Sequence, residues 1–256
     1  MRKKCAVITL CICAAIGVLH IADLVLYTDL ITGFNTYGSV AIRYIVLFVG
    51  VLICALPLLY KKGSIHTPPI GKAHCVCLAA CGIVSEIYGF FNVLKFTFSG
   101  SGALAFARGA LFVVFGVFCF IAALRIKTSN YSGQAVMFIG VIGSLSLYLL
   151  TIERFIGRAS SLYRFAPTLG VLSALAALAF STQLIKMVCL DEEHRNYNML
   201  ATTGQISFLL CTCMELPHSI YLFAMGLAPL NDVMLCLLLG ILGLIGALYA
   251  VSVAEA

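Results

Sequence analysis

The chain has 256 residues, of which 62% are hydrophobic and only 10% charged, and it contains no Trp. A soluble domain carries about a quarter charged residues, so a soluble globular fold is excluded. The net charge of +6 does not indicate nucleic acid, because the basic residues are spread over segment ends and no run interleaves them with aromatics.

In chain order the apolar runs predict eight spans: Ala6–Thr28, Val40–Tyr60, Ala73–Lys95, Ala103–Leu124, Gln134–Arg154, Pro167–Val188, Thr203–Met225 and Leu230–Val251. Runs of about 20 apolar residues cross a hydrocarbon core of roughly 30 Å as helix. They are continuous rather than alternating, which selects helices over a barrel. Met1-Arg2-Lys3-Lys4 ahead of the first run resembles a signal peptide, but the run is longer than the usual h-region and reads as an uncleaved span. The links carry turn formers, among them Gly33, Gly38, Pro68, Pro69, Gly71 and Pro229. None is long enough to separate domains. The expected fold is therefore all-α: one integral membrane domain over residues 1–256, built as four consecutive helical hairpins, with possible pseudo-symmetric halves 1–127 and 128–256.

Lys and Arg set the expected orientation. Arg2, Lys3, Lys4, Lys61, Lys62, Lys72, Arg125, Lys127, Lys186 and Arg195 fall on one side, and Lys95, Arg154, Arg158 and Arg164 on the other. This places both termini in the cytoplasm and the protein in the cell membrane. The three arginines of the fifth link are the weak point and need partners. The acidic run Asp191-Glu192-Glu193 reads as a solvated loop, with docking of a soluble partner as the alternative. The lysine-rich link around Pro68 and Pro69 reads as a stiff, oriented loop.

Twelve cysteines do not make a metal site here. In Cys11/Cys13, Cys75/Cys77 and Cys211/Cys213 the partners point about 200° apart on a helix, and no Cys-x-x-Cys of zinc spacing occurs. They read as small packing residues.

Ionisable residues inside spans cost about 2.5–3.5 kcal/mol on insertion scales and usually face the bundle interior. Here they recur about every 64 residues. The first hairpin carries His20, Asp23 and Tyr27 on one face, with Arg43 on the returning helix. The second carries Glu86 and Arg108, the third Tyr148 and Arg164, and the fourth Glu215 and Asp232. Small residues line up on the returning helices: Gly50/Ala55, Gly116/Ala122, Gly170/Ala176 and Gly240/Gly246. Asp23–Arg43 and Glu86–Arg108 are expected to pair within their hairpins and fix helix register. Ser144, Tyr148 and Thr151 form a second polar face, and Glu215, His218 and Tyr221 a third. Glu215 has no cation in its own hairpin, so it needs a partner from another repeat, a proton or a ligand. Pro217 beside it predicts a kink or local widening. Glu215-x-x-His218 and His20-x-x-Asp23 also have the i, i+3 spacing of bundle metal sites, a weak match.

Phosphate-cradling, nucleophile-elbow and His-Glu-x-x-His motifs are absent. No cofactor is indicated, and any nucleotide hydrolysis must come from another membrane or cytoplasmic subunit. The favoured reading is a transporter or permease-type membrane subunit for a small polar or charged solute. Its ligand-binding or coupling residues would be His20, Asp23, Tyr27, Arg43, Glu86, Arg108, Tyr148, Glu215 and His218. The alternatives are a structural protein whose charges only lock the bundle, or an intramembrane enzyme acting on a lipid-linked substrate.

Overall fold

The computed structural model describes residues 2–29, 32–34, 36–59, 69–99, 102–128, 133–157, 164–190 and 195–255. Lys61, Lys62, Pro68, Arg158 and the Asp191-Glu192-Glu193 run lie outside the described residues. All regular elements among the described residues are helical: α1 (Arg2–Tyr27), α2 (Val40–Cys54), α3 (Lys72–Ser99), α4 (Ala103–Thr128), α5 (Gln134–Gly157), α6 (Phe165–Cys189), α7 (Tyr197–Ser207), a π-helical segment (Phe208–Glu215), α8 (Leu216–Ala224) and α9 (Leu230–Glu255). The π segment joins α7 to α8 as one continuous seventh span, giving eight helices long and apolar enough to cross a membrane. The chain is a multi-pass helical membrane protein.

Two boundaries differ from expectation for local reasons. α2 stops at Cys54 and gives way to a 3-10 turn over Leu56–Leu59. Pro57 lies in that turn, and its missing N–H and ring block continuation of an α-helix. The seventh span begins six residues early, at Tyr197, because the Asn196 side chain accepts the Met199 N–H and caps the helix. Of the kink or local widening expected at Pro217, the widening forms. The widening sits just before it, as a π segment in which the Leu216 N–H reaches back to the Cys211 carbonyl, an i→i−5 bond.

The bundle core forms two apolar clusters. One joins Leu78, Phe112, Phe115, Leu147, Phe180 and Tyr249 with other residues of α3, α4, α5, α6 and α9. The other joins Cys13, Ile16, Leu47, Phe165, Leu209 and Met214, from α1, α2, α6 and the π segment. The π segment contributes to both, through Cys211 to the first and Leu209 to the second. Small residues set the closest helix approaches. A Cβ at Gly204 of α7 would lie 2.5 Å from the Gly246 carbonyl oxygen of α9, and one at Gly89 of α3 would lie 2.6 Å from the Gly109 carbonyl oxygen of α4. Gly17 of α1 backs onto Cys213 of the π segment in the same way. The hairpins are unequal: α3 packs extensively on α4, whereas α1 packs more on the π segment than on α2.

Large apolar side chains such as Ile8, Leu26, Phe48, Leu59 and Phe138 stand exposed around the outside, as lipid-facing positions do. Lys3 and Glu255 form an ion pair at 2.7 Å, so the two ends of the chain meet at one end of the bundle.

Candidate functional site

The charged residues gather at the opposite end from the Lys3–Glu255 pair. Arg108 lies in the second turn of α4, Arg154 in the last turn of α5, and Asp232 in the first turn of α9. At about 1.5 Å per residue all three sit within about 10 Å of their helix ends. Glu215 is deeper, about 14 Å from the end of α8 by the same rise.

Ion pairs join neighbouring spans there. Arg43 holds Asp23 with two parallel hydrogen bonds, Nε to Oδ2 at 2.6 Å and Nη2 to Oδ1 at 2.7 Å, and Nη2 also reaches the Tyr37 carbonyl at 3.1 Å. This is the register pair expected within the first hairpin. The second expected pair does not form. Arg108 binds Glu153 of α5 instead, and Glu86 lies against Gly116 at the α3–α4 contact. The reason is packing: α3 and α4 approach so closely at Gly82 and Gly116 that Glu86 is held beside the Gly116 backbone, one helix turn or more from Arg108. Glu215 takes its cation from another hairpin, one of the three outcomes open to it: Arg154 Nη2 lies 2.6 Å from Glu215 Oε1. Arg154 Nη1 also donates to the Gly170 carbonyl at 2.5 Å and to Ser173 Oγ at 3.2 Å. Cys236 Sγ faces Glu215 Oε1 at 3.5 Å. Two of the three arginines of the fifth link find partners, Arg154 in Glu215 and Arg164 in the Phe34 ring, 4.5 Å from its guanidinium carbon; Arg158 lies outside the described residues.

Two of these pairs border one cavity of about 330 Å³. Arg108 and Glu153, Arg154 and Glu215, and Asp232 supply its charges. Tyr88, His218 and Ser219 add polar groups, and Leu150, Leu169, Leu222 and Leu235 give it apolar walls. The C-terminus of α8 shapes its rim. Gly226, at φ +72°, closes α8 with paired bonds from Gly226 N–H to the Phe223 carbonyl and from Leu227 N–H to the Leu222 carbonyl, both 2.9 Å. That turn brings Ala228 and Asp232 back over the cavity.

His218 also borders a smaller cavity of about 100 Å³ with His20, Asp23 and Phe165. There His218 Nδ1 and His20 Nε2 are 3.4 Å apart and the rings stack at 5.6 Å. Asp23 continues into a third, shallower cavity of about 310 Å³ with Tyr27, Tyr37 and Arg43. The first and fourth hairpins therefore meet through a histidine pair.

Among the residues expected at the site, the structure gathers Arg108, Glu215 and His218 around the main cavity, and His20, Asp23, Tyr27 and Arg43 around its neighbours. Glu86 and Tyr148 are not brought there. Tyr148 is 51% exposed on the outside of α5, while Ser144 and Thr151 bond to carbonyls of their own helix, so that stripe does not converge on the axis. Among the described residues no group of three or more His, Cys, Asp or Glu side chains is placed to hold a metal ion. Glu215 and Asp23 each turn to an arginine.

Sequence reasoning missed Glu153, Tyr88 and the reciprocal amide pair Asn92–Asn231, whose two bonds of 3.2 and 3.4 Å join α3 to α9. It also missed a buried polar stripe in α7 formed by Asn198, Thr202 and Gln205. Their i, i+4, i+7 spacing was readable, but two of them fall before the expected start of the span. The Asn196 cap was the signal that would have moved it. Comparison with protein-family models, curated proteins and solved structures finds no match, so the functional reading rests on the site.

Proposed function

We propose that this protein is a permease-type membrane protein, or the membrane subunit of a transporter, that takes a small polar or charged solute from the side opposite its termini. In this reading the termini are cytoplasmic and the membrane is the cell membrane. The observation that carries it is the 330 Å³ cavity, which lies at the small end of the roughly 300–1,000 Å³ range of ligand sites. Its wall combines paired charges from α4, α5 and the seventh span with leucines, a mixture that can desolvate and orient a small solute. The π segment gives further support, because such widenings often occur at functional sites and this one ends at Glu215.

The test is uptake into vesicles reconstituted with the purified chain. Ala166 borders both the main and the smaller cavity. Filling that space with Ala166→Phe removes room but no charge. Uptake of small solutes should fall at least tenfold while the variant inserts and unfolds as the parent does. Undiminished uptake overturns the reading.

The second reading is a bundle-locking role for the charges. It is favoured by the fact that Asp23–Arg43, Arg108–Glu153 and Arg154–Glu215 each join two different spans. It predicts that Ala166→Phe is silent and that restoring charge pairing in any orientation restores all properties.

A further inference from the structure

We infer that the main cavity takes a small organic monocation bearing N–H donors, in preference to an anion, a zwitterion or a neutral solute. This rests on the permease reading and names the substrate class of that same site.

The charge balance comes first. Arg108 and Arg154 supply two positive charges, while Glu153, Glu215 and Asp232 supply three negative ones. These acids and arginines leave one negative charge in excess.

What is already satisfied sharpens this. The Arg154 guanidinium is held by the Glu215 carboxylate, the Gly170 carbonyl and Ser173 Oγ. Arg108 is held by Glu153, with the Tyr88 ring 6.0 Å from its guanidinium carbon. One donor atom, Arg108 Nε, is left without an acceptor. Arg108 bonds Glu153 through Nη1, so an anion reaching its remaining edge would still meet the excess negative charge of the lining.

The acceptors are in the opposite condition. Glu215 is 7% exposed, and its second oxygen, Oε2, is buried without a hydrogen-bond partner. A buried, unpartnered carboxylate oxygen costs several kcal/mol unless something donates to it. Tyr88 is fully buried and its hydroxyl also lacks a partner. Asp232 makes no ion pair among the described residues. Asp232 is exposed in the first turn of α9, where it suits the helix dipole, and it lines the rim of the cavity.

An ammonium group would donate to Glu215 Oε2, with the Asp232 charge at the rim drawing it in. A hydroxyl on the same solute would serve Tyr88 Oη and Arg108 Nε. The leucine walls suit a short carbon chain better than a hydrated inorganic ion.

Four probes of nearly equal shape separate the classes: 4-amino-1-butanol (cation), 4-aminobutyrate (zwitterion), 4-hydroxybutyrate (anion) and 1,4-butanediol (neutral). Binding is measured calorimetrically on the full chain in lipid nanodiscs, without any gradient. The cation should bind at least tenfold tighter than the other three. Asp232→Asn should weaken it about tenfold while lowering the ligand-free unfolding midpoint only slightly, since it removes a helix-dipole contact but leaves the Arg154–Glu215 pair intact. Equal or tighter binding of the anion, zwitterion or diol overturns the inference, as does unaltered cation binding in Asp232→Asn or no binding of any probe. Uptake into reconstituted vesicles then separates the two readings. Cation binding without uptake refutes the permease reading and leaves the cation site standing. Uptake of the anion refutes the cation site and leaves the permease reading standing.

Discussion

Arg154 in the last turn of α5 and Glu215 at the end of the π segment form an ion pair of 2.6 Å, with side chains only 13% and 10% exposed. The pair joins the third hairpin to the fourth and forms part of the cavity wall. Removing one partner leaves the other charge buried and alone, which typically costs about 3–5 kcal/mol, whereas replacing both with apolar residues of similar volume is often neutral. Arg154→Met and Glu215→Leu should therefore each destabilise strongly, and the double variant should recover most of the loss. Denaturant unfolding in mixed micelles checks this. Equal destabilisation by the single and double variants would show that the pair is not coupled. Under the permease reading, the double variant should also stay inactive in uptake although it is folded.

The glycine contacts make a sharper test of packing. A Cβ at Gly204 would fall 2.5 Å from the Gly246 carbonyl oxygen, where only backbone is available to move. Inserting bulk into a well-packed interior costs about 1–3 kcal/mol, and Gly204→Ala should reach at least that range. Gly102, where a Cβ would meet nothing within 4 Å, is the control. Gly102 caps the start of α4, its carbonyl accepting the Ala105 N–H at 2.9 Å, so Gly102→Ala should cost no more than a cap preference, about 1 kcal/mol or less. Thermal unfolding of the two variants side by side decides the matter, and similar effects would contradict the α7–α9 contact.

The two residues that the structure removes from the site give a negative prediction. Tyr148 is exposed on the outer face of α5, and Glu86 lies at the α3–α4 contact rather than on the main cavity. Tyr148→Leu and Glu86→Gln should leave ligand binding and uptake within about twofold of the parent. Asp232→Asn and Arg108→Gln should not. Loss of binding in Tyr148→Leu would place the solute path elsewhere.

The contrast between these residues shows what the sequence could reveal. Span number, helix type and the end of the bundle where charges collect were all readable, because each is written in long apolar runs and in where a charge falls along a run. The pairing of Asp23 with Arg43 was readable as well, since a helix and its return bring both to one depth. Cross-hairpin pairing was not. Which residue faces Arg108 depends on how α4 sits between α3 and α5, set by Gly82, Gly116, Gly143 and the rings they admit. The isolation of Glu215 was visible, but its partner Arg154 lay near the end of the fifth span and counted as a loop charge. Pro217 signalled an irregularity in the seventh span, yet not that a π segment would absorb it.

The Asp23–Arg43 pair is more exposed on its acidic side, 28% against 10% for the arginine. Its worth lies between that of a surface pair, about 0–1 kcal/mol, and that of a buried one. Breaking it with Asp23→Asn should cost roughly 1–3 kcal/mol. The reversed pair Asp23→Arg with Arg43→Asp should recover part of the stability, since it restores opposite charges across α1 and α2. It should not recover function if the permease reading holds. Asp23 borders the small cavity together with His20 and His218, and reversal places a cation beside that histidine pair. Stability and uptake measured on the same reversed variant therefore decide between the two readings. Stability regained without uptake supports a solute path past Asp23. Full recovery of both means that the charge pair serves only to hold the first hairpin in register.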